Sequence, residues 1–324
     1  MIQLNNESKE SKFLKLDRER RQKMKSRRTT YFKYFSLFFI LIALILITGC
    51  GGTTPITAAY GSIDVKSSPD GAEVYLDDVD TGSVTPIVLT NIEVGIHSIK
   101  LEKYHYKTKK DINISVNAEE TTYLNWSLTY APTKTITLQP GSEGKDSHVS
   151  LKWRENNFGD GQSLVLGYST FYQDRHRAYL QFELNPSPLS AGAIVTNANL
   201  KLYRYSYIGS LDSFTVGLYQ VTSDWGEDSI TWDNQPTSSN VVKASCTVYS
   251  ISYGWRTWNI DDSVKGWLDG SISNYGMVLK PLDEVSNYDQ VAFRSSDLAT
   301  NSIDRPKLEI DYYMPYDYIV LPWP

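Results

Sequence analysis

Ala198-Asn199-Leu200-Lys201-Leu202-Tyr203 places apolar side chains at every second position. In an extended chain successive side chains point to opposite faces, so Ala198, Leu200 and Leu202 share one face. This is the pattern of a strand with one buried side. Ser163 to Gly167 and Ala178 to Leu184 carry the same alternation, and Thr135 to Leu138, Phe214 to Val221 and Ser245 to Tyr249 extend the series. One stretch departs from it, Asp261-Asp262-Ser263-Val264-Lys265-Gly266-Trp267-Leu268-Asp269-Gly270. Its acidic start suits the positive end of a helix dipole, and Gly270 suits a helix C-cap. Val264, Trp267 and Leu268 fall at i, i+3 and i+4, a face able to cover one end of a sandwich. Roughly 180 residues of strands with one helix, residues 134–313, imply a two-sheet jelly-roll β-sandwich.

A smaller all-β unit precedes it, over residues 61–128. Ile63, Val65 and Ser67 alternate with polar residues, and Ser68-Pro69-Asp70-Gly71 forms a turn. Strands follow at Ala72 to Leu76, Ile87 to Leu89, Ile96 to Lys100 and Lys110 to Val116, with a carboxylate-rich turn from Asp77 to Gly82. Short strands at this spacing imply a small antiparallel sandwich. Ala131-Pro132-Thr133 is the joint between the units, and residues 314–324 form an aromatic, Pro-rich tail.

The first unit resembles the PEGA domain family. The shared residues are Ser68-Pro69-Asp70-Gly71-Ala72, Val74-Tyr75-Leu76-Asp77, Gly82, Thr85-Pro86, Gly95 with His97, and Tyr104. Asp70 replaces the family's glutamate, and Lys103 stands where a glycine is usual. The resemblance implies a surface-exposed β module, a spacer or binding unit without catalysis. The second unit resembles the DNRLRE-type domain, grouped with carbohydrate-binding modules. Its strongest segment is Trp225-Gly226-Glu227-Asp228-Ser229-Ile230-Thr231-Trp232-Asp233-Asn234-Gln235-Pro236. Asn157-Phe158-Gly159, Arg177 to Phe182, Ala198 to Tyr203, Asn274 to Leu279, Phe293 to Asp297 and Arg305 to Ile310 accompany it in family order, with Asp297 where a glutamate is expected.

The N-terminal segment, residues 1–49, has the character of a secretory signal. Phe35 to Ile47 is a run of thirteen residues, apolar except for Ser36. A spanning helix needs about 20 residues, and a run this long fits a signal h-region. Leu46-Ile47-Thr48-Gly49-Cys50 resembles a lipobox, which implies lipidation at Cys50 and an exported, membrane-anchored remainder beginning with a linker over residues 50–60. The alternative is an uncleaved signal anchor with Cys50 incidental. The basic flank, including Arg18, Arg20, Arg21, Arg27, Arg28 and Lys33, stays cytoplasmic. It is long for an n-region, and a start at Met24 gives one of ordinary length. Ser26-Arg27-Arg28 matches a twin-arginine signal poorly, because Thr30 stands where that signal prefers an apolar residue.

A net charge of −5 argues against a non-specific nucleic-acid surface. With Cys50 lipidated, Cys246 has no intramolecular partner and is expected as a small core residue. Asn113-Ile114-Ser115 and Asn125-Trp126-Ser127 are glycosylation-type sequons. The chain has four histidines, His97, His105, His148 and His176, and no His-Glu-x-x-His, Gly-x-Ser-x-Gly, Cys-x-x-Cys or phosphate-binding Gly-Lys loop. No catalytic constellation is therefore expected, although a glycosidase needs only two facing carboxylates.

Sugar recognition requires exposed rings with polar side chains beside them. Trp225, Trp232, Trp255, Trp258 and Trp267 are available rings, of which Trp225, Trp232 and Trp267 are expected to serve the fold. Trp153, Tyr168, Tyr172 and Tyr207 lie in loop-like stretches and are the candidate platform. Arg154 and Arg175 are candidates to grip an acidic sugar through forked hydrogen bonds, and Arg177 either joins them or serves the fold. No cofactor is expected beyond a structural calcium with unassigned ligands. Asp77, Asp78 and Asp80 read as a solvated turn, and Asp146, Asn156, Asn157 and Asp160 as ordinary turn residues that also carry calcium-type oxygens. The leading expectation is a non-catalytic, lipid-anchored envelope protein that binds cell-surface or extracellular polysaccharide. A structural or adhesive protein contacting envelope proteins is the alternative, ahead of a polysaccharide-degrading enzyme.

Overall fold

The computed structural model of the protein describes residues 59–184, 189, 192–284 and 289–316. Cys50, Met24, the basic flank and the tail beyond residue 316 lie outside the described residues. No described helix is long and apolar enough to cross a membrane.

Seven strands build the first unit: β1 (Tyr60–Ser68), β2 (Glu73–Leu76), β3 (Val79–Val84), β4 (Ile87–Glu93), β5 (Gly95–Glu102), β6 (Lys109–Val116) and β7 (Thr121–Ser127). They form two sheets, ordered β4-β1-β7 and β3-β2-β5-β6. Ile63, Val65, Val74, Ile99, Leu101 and Ile114 fill the core between them. The additional strand arises at the acidic turn, which is tighter than its composition suggests. Asp77 (φ 49°) and Asp78 (φ 63°) are its two central residues, and Leu76 pairs directly with Val79. Two consecutive positive φ angles make a two-residue hairpin turn, which leaves Val79–Val84 free to pair. A second difference is orientation. β1 runs parallel to β7, from Ser62 opposite Thr121 to Ser68 opposite Ser127, whereas the other pairs are antiparallel. The Ser-Pro-Asp-Gly and Thr-Pro signatures meet: Gly71 N–H donates to Thr85 O and Thr85 N–H to Ala72 O, both at 2.8 Å.

The second unit contains β8 (Lys134–Leu138), β9 (Lys145–Ser150), β10 (Ser163–Ser169), β11 (Asp174–Gln181), β12 (Ile194–Ile208), β13 (Ser213–Val221), β14 (Ser238–Tyr249), β15 (Gly254–Asn259), helix α1 (Asp261–Asp269), β16 (Met277–Pro281), β17 (Gln290–Arg294) and β18 (Lys307–Tyr313). Their order is β14-β13-β16-β11-β10-β17-β12-β18-β8, with β9 added on β11 and β15 on β12. The 11-stranded network curls on itself. Ala178, Leu180, Leu218 and Leu279 from one half share a core with Ala198, Leu200, Leu202, Leu308 and Ile310 from the other. The alternation at 198–203 thus marks one of the walls of this core. Helix α1 ends at Gly270 in the left-handed conformation (φ 76°) and packs Val264, Trp267 and Leu268 against the same core. Cys246 is half-buried beside it.

A smaller apolar cluster forms on the other face of β9, β11, β16 and β13, from Val149, Tyr179, Tyr219, Val221 and Val278. Trp225 and Ile230 cover it, with Trp232 half-buried beside them. The 225–236 motif is therefore a lid on a sheet face. Trp225 donates its indole N–H to Tyr275 O at 3.0 Å, satisfying its polar end.

Candidate functional site

Two chain reversals come together at one end of the second unit. One follows β9 and the other joins β10 to β11. Asp174, almost fully buried, ties them: its carboxylate accepts from Ser150 Oγ at 2.6 Å and from Lys152 N–H at 2.8 Å. Leu151 N–H adds a bond to Arg175 O at 2.8 Å. The apolar rings here turn outward: Trp153 is 55% exposed, Tyr172 53% and Phe171 81%. Lys152 joins them, its ammonium 5.7 Å from the Trp153 ring centre and donating to Tyr172 O at 3.1 Å. Tyr168 and Arg175 are register partners on the adjoining strands, with the guanidinium 5.8 Å from the phenol ring. The result is a ring surface with cationic groups at its edge.

The other candidates named from the sequence take different places. Arg154 N–H groups bind the Asp233 carboxylate, with Nε at 2.8 Å, so this guanidinium couples the ring-bearing loop to the 225–236 lid. Tyr207 lies apart on β12, donating its hydroxyl to Asp289 and Leu211 O and packing on Phe214. Burial first, and then the Asp289 carboxylate, raise the Tyr207 hydroxyl's pKa. Arg177 makes a two-pronged pair with Glu284, both contacts at 2.7 Å, donates to Gln235 and lies 5.0 Å over the Trp232 ring. Those contacts serve the fold.

Of the remaining tryptophans, Trp258 is 1% exposed and belongs to the core, bonded to Val216 O at 3.2 Å, so it offers no face to a ligand. Trp255 is half-buried on the outer face of β15, edge-on to Tyr203 and covered by Lys307 at 4.6 Å. Arg294 covers Tyr205 similarly at 3.8 Å. Phe171 and Lys152 are the residues of the ring surface that pattern reasoning passed over. Their signal was adjacency, since each flanks a residue already singled out.

A different chemistry occupies the neighbouring edge. Asp146, Glu227 and Asp297 bring carboxylate oxygens within 4.8 Å of one another. Asp146 is 3% exposed. Burial pushes its carboxyl up to about 7, against the effect of the Ser296 N–H that donates to it at 2.9 Å. Burial also pushes Glu227 up to about 7, and it raises Asp297, with Asp160 adding to the effect. Of the calcium-type residues noted in the sequence, only Asp146 enters this set. Asn157 instead bonds the lid backbone at Glu227 O and Ile230 O. Asn156 donates its backbone N–H to Trp153 O. Asp77, Asp78 and Asp80 are bound by Ser98 and His97, by Lys110 and by Gly82, as a solvated turn requires.

A cleft of about 470 Å³ lies beside β8 and β11, lined by Gln139, Glu143, Lys145, Gln181 and Glu183 among others. Glu143 accepts Gly141 N–H at 2.9 Å, which holds its carboxyl below the usual range. A general acid needs the opposite shift.

Family models match both units. The model of carbohydrate-binding module family 96 matches residues 134–312, and that of the PEGA domain matches residues 60–132. The tRNA3(Ser)-specific nuclease WapA of Bacillus spizizenii is 30% identical over 173 residues, covering 52% of this chain and 7% of that protein. The tRNA nuclease WapA of Bacillus subtilis is 29% identical over 171 residues, with the same coverage of 52% and 7%. The chain thus spans only a small fraction of the length of these curated relatives. Among solved structures, the Bacillus anthracis TIE protein aligns over 63% of this chain and 48% of its own at 10% identity, with a TM-score of 0.16, a likeness too slight to bear on the fold.

Proposed function

The chain belongs to carbohydrate-binding module family 96 over residues 134–312, and from this we propose that the protein is a non-catalytic envelope protein whose second unit binds cell-surface or extracellular polysaccharide. One observation carries the reading: Trp153, Phe171 and Tyr172 expose their rings together, with Lys152 between them. A ring stacks on the apolar face of a sugar at little entropic cost, and the neighbouring cations reach hydroxyl or carboxylate groups. Lys152 and Arg175 favour a glycan that carries carboxylates. Tyr168 and Arg175 extend the surface. Arg154 contributes by holding the loop against Asp233.

Lipidation at Cys50 is part of the proposal, resting on the Leu46-Ile47-Thr48-Gly49-Cys50 run and the apolar stretch before it. The PEGA domain then acts as the spacer between membrane and glycan-binding unit. The match to the WapA nucleases takes up 7% of their length, which favours a shared module over a shared whole-protein activity.

The test is a pull-down of the full chain, in mild detergent, across neutral and acidic polysaccharides. Retention by at least one glycan, lost in Trp153→Ala/Tyr172→Ala, is expected. Retention by none overturns the glycan reading. Metabolic labelling with a fatty-acid analogue tests the anchor: label is expected on the wild-type chain and absent from Cys50→Ser.

A further inference from the structure

Three segments far apart in the chain converge on Asp146. It opens β9, its own N–H donates to Glu227 Oε1 at 2.8 Å, and its Oδ2 accepts from Ser296 N–H at 2.9 Å. Asp297 completes a set of three carboxylates with oxygens within 4.8 Å. None of these carboxylates makes an ion pair among the described residues.

Two further atoms point into the same place. Asp146 Oδ1 is buried with no hydrogen-bond partner, and so is the hydroxyl of Ser296, itself fully buried. The Ser296 hydroxyl belongs to the residue whose N–H already holds Asp146 Oδ2 at 2.9 Å. A buried carboxylate oxygen and a buried hydroxyl are costly unless something satisfies them. The surroundings are also closely fitted. A Cβ on Gly144 would meet Ser296 Oγ at 2.9 Å, and one on Gly159 would meet Glu227 O at 2.7 Å. Glycine at both positions lets the backbone come this near.

The arrangement does not suit catalysis on a sugar, because Asp146 is only 3% exposed and a ring cannot reach it. It does suit a hard cation. Every available donor is oxygen, and calcium takes about six to eight such ligands in flexible geometry. Neither histidine nor cysteine joins the set, so the softer metals have no preferred ligand.

We propose that Asp146, Glu227 and Asp297, with the Ser296 hydroxyl as a further oxygen donor, form a calcium site. The ion fastens the 225–236 lid to the first residues of β9 and to the turn after β17. It is a structural clasp, and glycan contact at Trp153 and Tyr172 does not depend on it for its chemistry.

The test uses the full chain in mild detergent, stripped with EGTA and titrated with CaCl2 by calorimetry. Thermal unfolding and amide hydrogen exchange are read alongside. Saturable calcium binding, a higher melting temperature and slower exchange in residues 145–150, 222–237 and 294–298 are expected. Asp297→Asn should weaken binding at least tenfold. Ser296→Ala should weaken it by a smaller factor, and Asp78→Asn should leave it unchanged. Asp146→Asn should abolish it; near-UV circular dichroism reports whether that buried variant folds, and the Asp297 and Ser296 variants carry the test if it does not. No calcium binding at millimolar concentration overturns the proposal. So does unchanged binding in Asp297→Asn and Ser296→Ala together, exchange protection confined to other segments, or equal stabilisation by MgCl2 at the same concentration.

Discussion

The backbone N–H of Asp146 donates to the Glu227 carboxylate at 2.8 Å across 81 residues of sequence. A strand whose sequence is mostly polar is thereby locked under the lid that the 225–236 motif forms. His148, Ser150 and Asp146 are all buried in that strand, and each has a hydrogen-bonded partner on another segment: Ser163 O, Asp174 and Ser296 N–H. Burial of polar groups is tolerated where such partners exist.

The ring surface yields the most direct functional prediction. Trp153→Ala and Tyr172→Ala should each reduce polysaccharide affinity by about tenfold, roughly 1.4 kcal/mol. Both side chains are more than half exposed, so the melting temperature should hardly move. Affinity electrophoresis and calorimetric melting, run on the same preparations, separate the two effects.

Arg177 and Glu284 form a two-pronged, largely buried pair, with side-chain exposures of 25% and 18%. Arg177→Lys keeps the charge and loses the fork. We expect a loss of about 1–3 kcal/mol in urea unfolding. A double-mutant cycle with Glu284→Gln should show coupling between the two positions; strictly additive losses would contradict the pairing.

Gly276 has φ +81°, and a Cβ there would meet Leu180 O at 2.2 Å. Gly276→Ala should cost about 1–3 kcal/mol from the backbone conformation alone, with the clash in addition. Denaturant melts read the difference, and an unchanged midpoint would show that the turn relaxes freely.

In the PEGA domain the Asp77 carboxylate accepts from His97 Nδ1 at 2.7 Å, which is the main cause of the raised His97 pKa. A raised histidine favours the folded state below its unfolded pKa, about 6.5. That contribution is lost as pH climbs through the folded value. Asp77→Asn should move the His97 titration, followed by NMR, back toward 6.5 and remove this pH dependence.

The walls of both cores were legible in the sequence because alternation and burial coincide there: Ala198, Leu200 and Leu202 face inward as their spacing demands. Helix α1 was legible from its acidic start and Gly270. β9 was not, since Lys145-Asp146-Ser147-His148-Val149-Ser150 has no apolar periodicity and is buried through hydrogen bonds. β3 was hidden because the acidic run around Asp80 looks like turn, while the real turn needs only Asp77 and Asp78. Trp258 illustrates the limit for binding rings. A tryptophan on a strand shows its type in the sequence, but its face is set by which side of β15 meets Val216. The acidic triad was not read from the sequence: Asp146 was expected as an ordinary turn residue and lies buried in β9, and Glu227 and Asp297 reach it only through the tertiary fold.

The parallel pairing of β1 with β7 sets how the PEGA domain would respond to pulling on its two ends. Its first and last strands lie side by side and point the same way, from Ser62 beside Thr121 to Ser68 beside Ser127. At about 3.3 Å per residue, the chain enters and leaves roughly 20 Å apart along the strand axis. Under the proposed anchoring at Cys50 and glycan contact of the second unit, tension would slide these strands against each other and stress their hydrogen bonds together. A pair with both ends on one side would instead peel open bond by bond. The geometry is that of a mechanical coupling, suited to a module pulled from both ends.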